Sequence, residues 1–236
     1  MIKSSPETYD KYIKALTDIS RTITSEKYLD DILKLIVMVT AKVTGLEICS
    51  LWLIDESSKP KKIRLKATQA ISPEYVRDRS LNIDEGVVGY VAVKNRPLIV
   101  KNVLKEPLFK EKDMAKTLGL VSMLSLPLRV MNNKVIGVLN CFTVEDHEFS
   151  EIEINLITAV ANQAAIAILN TELMVKTEVI QAELETRKVI ERAKEILSHR
   201  RNLKSDEAFR WIQKRSMDSR KSMRQIADAI ILSEEI

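Results

Sequence analysis

The chain has 236 residues, 45% of them hydrophobic and 30% charged, with only five Gly and six Pro; this excludes a disordered or low-complexity polymer and leaves room for one or two packed domains. No apolar run approaches the roughly 20 residues that span a bilayer, the opening stretch MIKSSPETYDKY lacks a secretory apolar core, and two cysteines are too few for a disulfide framework. The predicted setting is cytoplasmic, without membrane contact, and the formal net charge of +4 is spread unevenly.

Two helical patterns open the chain over residues 7–44. Tyr12, Leu16, Ile19 and Ile23 recur at helical spacing, and Ser25 is placed to cap the second pattern. That pattern holds Leu29, Ile32, Leu33, Ile36, Val37 and Val43 and stops at Gly45. The period then falls to two. Residues 46–55 and 63–70 read as strands joined by a polar connection with Pro60. Residues 71–80 form a loop or short helix, 81–83 a short strand, 84–95 a short helix and 97–103 a strand. A helix over about 108–118 leads to Gly119. The runs 121–130 and 134–144 flank Met131-Asn132-Asn133, a hairpin signal. Together these predict an α+β domain of five or six strands, mostly antiparallel toward its end. Cys49 and Cys141 both fall in apolar strand-like runs and are expected as buried free thiols.

From Ser150 the pattern is helical. Ser150 and Glu153 have the form of a capping box, and Ile157, Val160, Ala164, Ala167 and Ile168 mark a face that should pack on the sheet. A narrower seam follows at Leu169, Leu173, Ile180 and Leu184, interrupted at Lys176 or Thr177. Such a seam on a helix leaving a domain suggests a two-stranded coiled coil and a homodimer; the alternative is packing against the chain's own N-terminal helix.

Between Arg187 and Ile230 thirteen Lys and Arg stand against six Asp and Glu, a surplus of +7, so the rest of the chain sums to −3. A basic module on a mildly acidic body points to a polyanionic partner. Three amphipathic helices fit this stretch. Their apolar positions are Val189, Ile190, Ala193, Ile196 and Leu197; then Ala208, Phe209, Ile212 and Ser216; then Met223, Ile226, Ala227, Ile230 and Ile231. The first helix should end near Arg201-Asn202, Ser205 should cap the second, and the third should begin near Ser222. This leaves the Lys and Arg side chains facing outward. Lys194, Lys214, Arg220, Lys221 and Arg224 are the candidate phosphate or base contacts. Trp211 is a candidate for base stacking, against the commoner role of core or rim, and His199 suits a helix end better than catalysis.

The ordered residues Val189-Ile190, Ala193-Lys194, Ile196-Leu197, Ser205, Ala208-Phe209, Ile212, Met217 and Ala227 resemble the ANTAR family of RNA-binding antitermination domains. The resemblance implies a module that binds paired RNA hairpins with hexanucleotide loops in a leader transcript and so prevents an overlapping terminator. Glu195 stands where the family usually has Gly, Ser216 replaces a usual Ala, and Arg220 replaces a usual Asn able to read a base edge.

The body resembles a GAF domain, through Leu81-Asn82-Ile83-Asp84-Glu85-Gly86-Val87-Val88-Gly89, Pro97-Leu98-Ile99-Val100, Leu126-Pro127-Leu128, Ile136-Gly137-Val138-Leu139-Asn140 and Phe149-Ser150. This implies an antiparallel sheet with helices on both faces and a small-molecule pocket on one, without naming the ligand. The expected layout is a GAF sensor over 8–170, a signalling helix over 171–186 and an all-α ANTAR three-helix bundle over 187–236. No cofactor, metal or catalytic set is expected. His147 and His199 fall in different domains, Gly86 and Gly89 lack the Lys-Ser/Thr of a phosphate loop, and no nucleophile–base pair emerges. Two other readings stand beside the RNA-binding regulator. One is a DNA-binding regulator, although residues 217–222 lack a Gly-containing tight turn; the other is a GAF-type thiol reductase using Cys49 and Cys141.

Overall fold

The structure is a computed structural model and describes residues 29–69 and 79–234. The expected helix with Tyr12, Leu16, Ile19 and Ile23, the Ser25 cap and most of the 71–80 segment lie outside the described residues. The chain divides into two compact units, with the boundary between Glu172 and Leu173.

In the first unit, helix α1 (Leu29–Thr44) turns Ile32, Leu33, Ile36 and Val37 inward and ends at Gly45, whose N–H donates to the Ala41 carbonyl at 2.8 Å. Six strands follow: β1 (Ile48–Asp55), β2 (Lys62–Thr68), β3 (Ser80–Asn82), β4 (Leu98–Val100), β5 (Ser122–Arg129) and β6 (Val135–Thr143). They form one sheet in the order β3-β2-β1-β6-β5-β4, and each neighbouring pair is antiparallel. The β5–β6 hairpin closes through a 3-10 turn at Met131–Asn133, where Asn132 and Asn133 take φ of +59° and +56°. Asn tolerates that left-handed backbone better than most residues.

The central strands are buried along most of their length, not on alternate residues. Both faces of the sheet are covered, which leaves neither face polar. On one side α1 and the long helix α4 (Glu151–Arg201) pack against Leu51, Leu53, Leu124, Leu126 and Leu139. On the other, α2 (Gly86–Lys94) contributes Val87, Val88 and Val91 and α3 (Lys112–Leu118) Ala115, against Trp52, Ile63, Met123, Val138 and Phe142. Gly137 is required by a close approach: a Cβ there would lie 2.2 Å from the Trp52 carbonyl oxygen across the β1–β6 pair. Strand β4 stops at Val100, short of the predicted 97–103 run. Asn102 turns the chain away, its side-chain oxygen accepting the Leu104 and Lys105 N–H groups at 3.0 and 3.2 Å.

Helix α4 starts as expected. Ser150 Oγ accepts the Glu153 N–H at 3.3 Å, and Glu153 Oε2 accepts the Ser150 N–H at 2.8 Å. By length and composition α4 could cross a membrane, with an 18-residue window of mean hydropathy 1.6. Its Ile157, Ala161, Ala164, Ala165 and Ile168 are instead buried in the core of the first unit. Beyond Glu172 the seam side chains Leu173, Ile180 and Leu184 are exposed.

The second unit comprises the C-terminal part of α4, α5 (Ser205–Ser219) and α6 (Met223–Leu232). Ala193, Leu197, Ala208, Ile212 and Ala227 form its core, with Leu203, Trp211, Ile226 and Ile230 packed around them. Asn202 ends α4 with φ +53°. Three expectations need correction. Ser205 is the first residue of α5, not its cap; the capping position is Lys204, whose N–H donates to Glu207 Oε2 at 2.9 Å. Phe209 is 40% exposed because Ala208 and Ile212, one turn apart, define the buried face and Phe209 lies a step around it. Ser216 serves a turn instead of an apolar core.

Candidate nucleic-acid interface

The α5–α6 connection is built by Ser216. Its hydroxyl donates to the Lys221 carbonyl at 2.6 Å, and its own carbonyl accepts the Lys221 N–H at 3.2 Å. Ser222 then caps α6: its Oγ accepts the Gln225 N–H at 3.2 Å, and Gln225 Oε1 accepts the Ser222 N–H at 3.0 Å. Arg220, between these ties, is left-handed with φ +54° and ψ +31°. Asn takes such a backbone more readily than Arg does.

Arg220, Lys221 and Arg224 are brought together on this turn and the first turn of α6, all exposed. Their charge has the same sign as the helix N-terminal dipole, so the end of the hairpin attracts anions. Arg224 Nε lies 4.0 Å from Asp228 Oδ2. Lys188 and, to a lesser degree, Arg224 hold the Glu185 carboxyl below its ordinary value. Lys214 is exposed on α5. Lys194 departs from the expectation of an outward-facing contact. Its side chain is only 14% exposed, and its Nζ donates to both Glu191 carboxylate oxygens at 2.9 and 2.8 Å. Glu195 is exposed and Met217 lies outside the core.

One group escaped the sequence reading. The guanidinium carbons of Arg201 and Arg215 lie 4.8 and 5.7 Å from the Trp211 ring centre. Arg215 could have been found, since it sits four residues after Trp211 on one helix. Arg201 comes from α4 and is brought there by tertiary packing alone.

In the first unit, Asn82 to Glu85 form the polar turn that precedes α2, with Glu85 at the capping position. Gly89 is a packing residue, for a Cβ would lie 2.7 Å from the Ile83 carbonyl oxygen. Cys49 and Cys141 face each other across β1 and β6 with Sγ atoms 3.6 Å apart, both fully buried. The hydrogen bond to Cys141, together with burial, pushes the Cys49 thiol well above its ordinary value. A reductase needs the opposite, an accessible thiolate. His147 Nε2 lies 3.1 Å from Glu153 Oε1 at the start of α4 and pairs edge-on with Phe149. Among the described residues no three His, Cys, Asp or Glu converge as a metal-binding group.

Family models for a GAF domain and an ANTAR domain match residues 28–168 and 178–231. The transcriptional regulatory protein PdtaR of Mycobacterium tuberculosis is 36% identical over 61 residues, 26% of this chain and 30% of that protein, so less than a third of the relative's length is matched. Among solved structures, the GAF domain of the Acinetobacter phosphoenolpyruvate-protein phosphotransferase is 25% identical. The alignment covers 70% of this chain and 97% of that one, with a TM-score of 0.59. The corresponding GAF domain from Coxiella burnetii is 23% identical over the same shares, with a TM-score of 0.61.

Proposed function

The chain belongs to the GAF family and carries an ANTAR domain after its GAF domain, and from that premise we propose that it is a signal-responsive, RNA-binding transcription antiterminator. It grips paired hexaloop hairpins in leader transcripts, in the cytoplasm, and prevents a terminator from forming. The observation that carries this reading is the cluster of exposed cations at Arg220, Lys221 and Arg224 on the α5–α6 turn of a small three-helix module, with Lys214 on the preceding helix. Lys194 contributes charge from a tied position. RNA hairpin loops suit such a surface, since they offer closely spaced phosphates and unstacked bases.

We assign the sensor to 8–170, the signalling helix to 171–186 and the RNA-binding module to 187–236. Two chains pair through the seam between Leu169 and Leu184, whose Leu173, Ile180 and Leu184 are exposed among the described residues. Two modules held together bind two hairpins at high effective concentration without any new contact. A small molecule on the GAF domain supplies the signal.

The test is electrophoretic binding of the full chain to dual-hairpin leader RNA over a salt titration. Lys214→Glu with Lys221→Glu should weaken binding at least tenfold and flatten the salt dependence by about two phosphate contacts. Equal affinity for scrambled loops overturns the sequence-specific reading. Equal affinity for duplex DNA turns the assignment toward a DNA-binding regulator.

A further inference from the structure

A groove of about 290 Å³ lies between α5 and α6 within the second unit. Its lining combines Trp211, Ile226, Ala229 and Ile230 with the cations Arg215 and Lys221. Trp211 is half-buried and carries the Arg201 and Arg215 guanidinium groups near its ring. We propose that this groove receives one unstacked base of the bound RNA, held against the Trp211–arginine stack with its phosphate met by Lys221.

The occupant follows from the chemistry of the lining. An apolar floor alone would suit an aliphatic side chain of another protein. An indole with two guanidinium groups within 6 Å of its ring suits a planar ring better, since bases stack on both kinds of group. The cations Arg215 and Lys221 in the lining favour a ring attached to an anion. A nucleotide meets both conditions, and a duplex does not, because its bases are already stacked and paired. The groove is also continuous with the cationic turn. Lys221 lines it, and the Ser216 hydroxyl that accounts for one departure from the family pattern anchors the Lys221 carbonyl.

The inference rests on the RNA-binding reading, and the experiment separates the two. The chain has two tryptophans, and Trp52 is 5% exposed in the core of the first unit, so an added nucleic acid reports through Trp211. Full-length protein titrated with dual-hairpin RNA should lose indole fluorescence. A hairpin carrying one abasic loop position should bind ten- to a hundredfold more weakly and fail to quench, at the position that enters the groove. Trp211→Leu should weaken binding by a similar factor with the salt slope unchanged, and Trp211→Phe should restore most of it. Lys214→Glu, outside the groove, should instead reduce the slope. The abasic series leaves the protein unaltered, so it decides the matter even if Trp211→Leu loosens the bundle. Quenching that persists through every abasic position, or that duplex DNA matches, overturns the groove while RNA binding stands. No binding of any hairpin overturns the RNA reading and the groove with it.

Discussion

Arg220 pays for its place in the turn. Its φ of +54° is one that a non-glycine residue adopts at a cost, and Asn adopts most easily. Arg220→Asn should therefore raise the stability of the second unit by about 0.5 kcal/mol while removing about one phosphate contact from the salt slope. A denaturant titration read beside an RNA salt titration checks both signs. Glu153 gives a second residue-level expectation. Burial alone would raise its carboxyl, but the Ser150 hydroxyl and N–H, with His147 opposite, outweigh burial and hold it below the ordinary glutamate value. A carboxyl depressed in the folded state contributes stability above its unfolded pKa, about 4.3, and loses it as pH falls through the folded value. Glu153→Gln should lower the urea midpoint at pH 7, with the gap to the natural chain closing below about pH 4. At this scale the arrangement of the candidate cations was half legible. The cations at 220, 221 and 224 could be read directly, since they share one turn. The tied state of Lys194, the Ser216 hydroxyl bond and the Arg201–Trp211 contact depend on neighbours that only folding supplies.

Elements were more legible than residues. Spacing near 3.6 located α1 and the three helices of the second unit, each of which buries one face, whereas β1, β5 and β6 stand out as apolar runs because both of their faces are buried and only β2 alternates. Asn132-Asn133 marked the hairpin through backbone chemistry alone. The misjudged end at β4 lies where hydrogen bonding by Asn102 overrides the apolar pattern, while α5 begins at Ser205 as expected and only its capping position moves back to Lys204. Gly137→Ala is the sharpest test of the sheet. The added Cβ meets the β1 backbone, which cannot yield without breaking the central pairing, so a loss of about 3 kcal/mol is expected in thermal or chemical unfolding. For α4 the test concerns its exposed seam. Leu173→Glu, Ile180→Glu and Leu184→Glu together should convert the dimer proposed above to a monomer in sedimentation, with the circular dichroism of the chain preserved. A dimer that survives the triple change places the contact elsewhere.

For the whole molecule the contrast is between two cores. The first unit buries both faces of a six-stranded sheet, while among the described residues the core cluster of the second holds five buried side chains, three of them alanine. So small a core is marginal without a partner. Calorimetry of the full chain should show the three-helix unit melting first. Dual-hairpin RNA at a hundred times its dissociation constant should stabilise that transition by about 2.7 kcal/mol and leave the other in place. The facing cysteines bear on how such coupling can be watched. The two thiols are the chain's entire complement, and both are sealed between the sheet and its helices. The natural protein should thus be blank to a maleimide under native conditions. A cysteine placed at the seam or at the groove margin would be the single attachment point for a spin label or dye, with no background to engineer away.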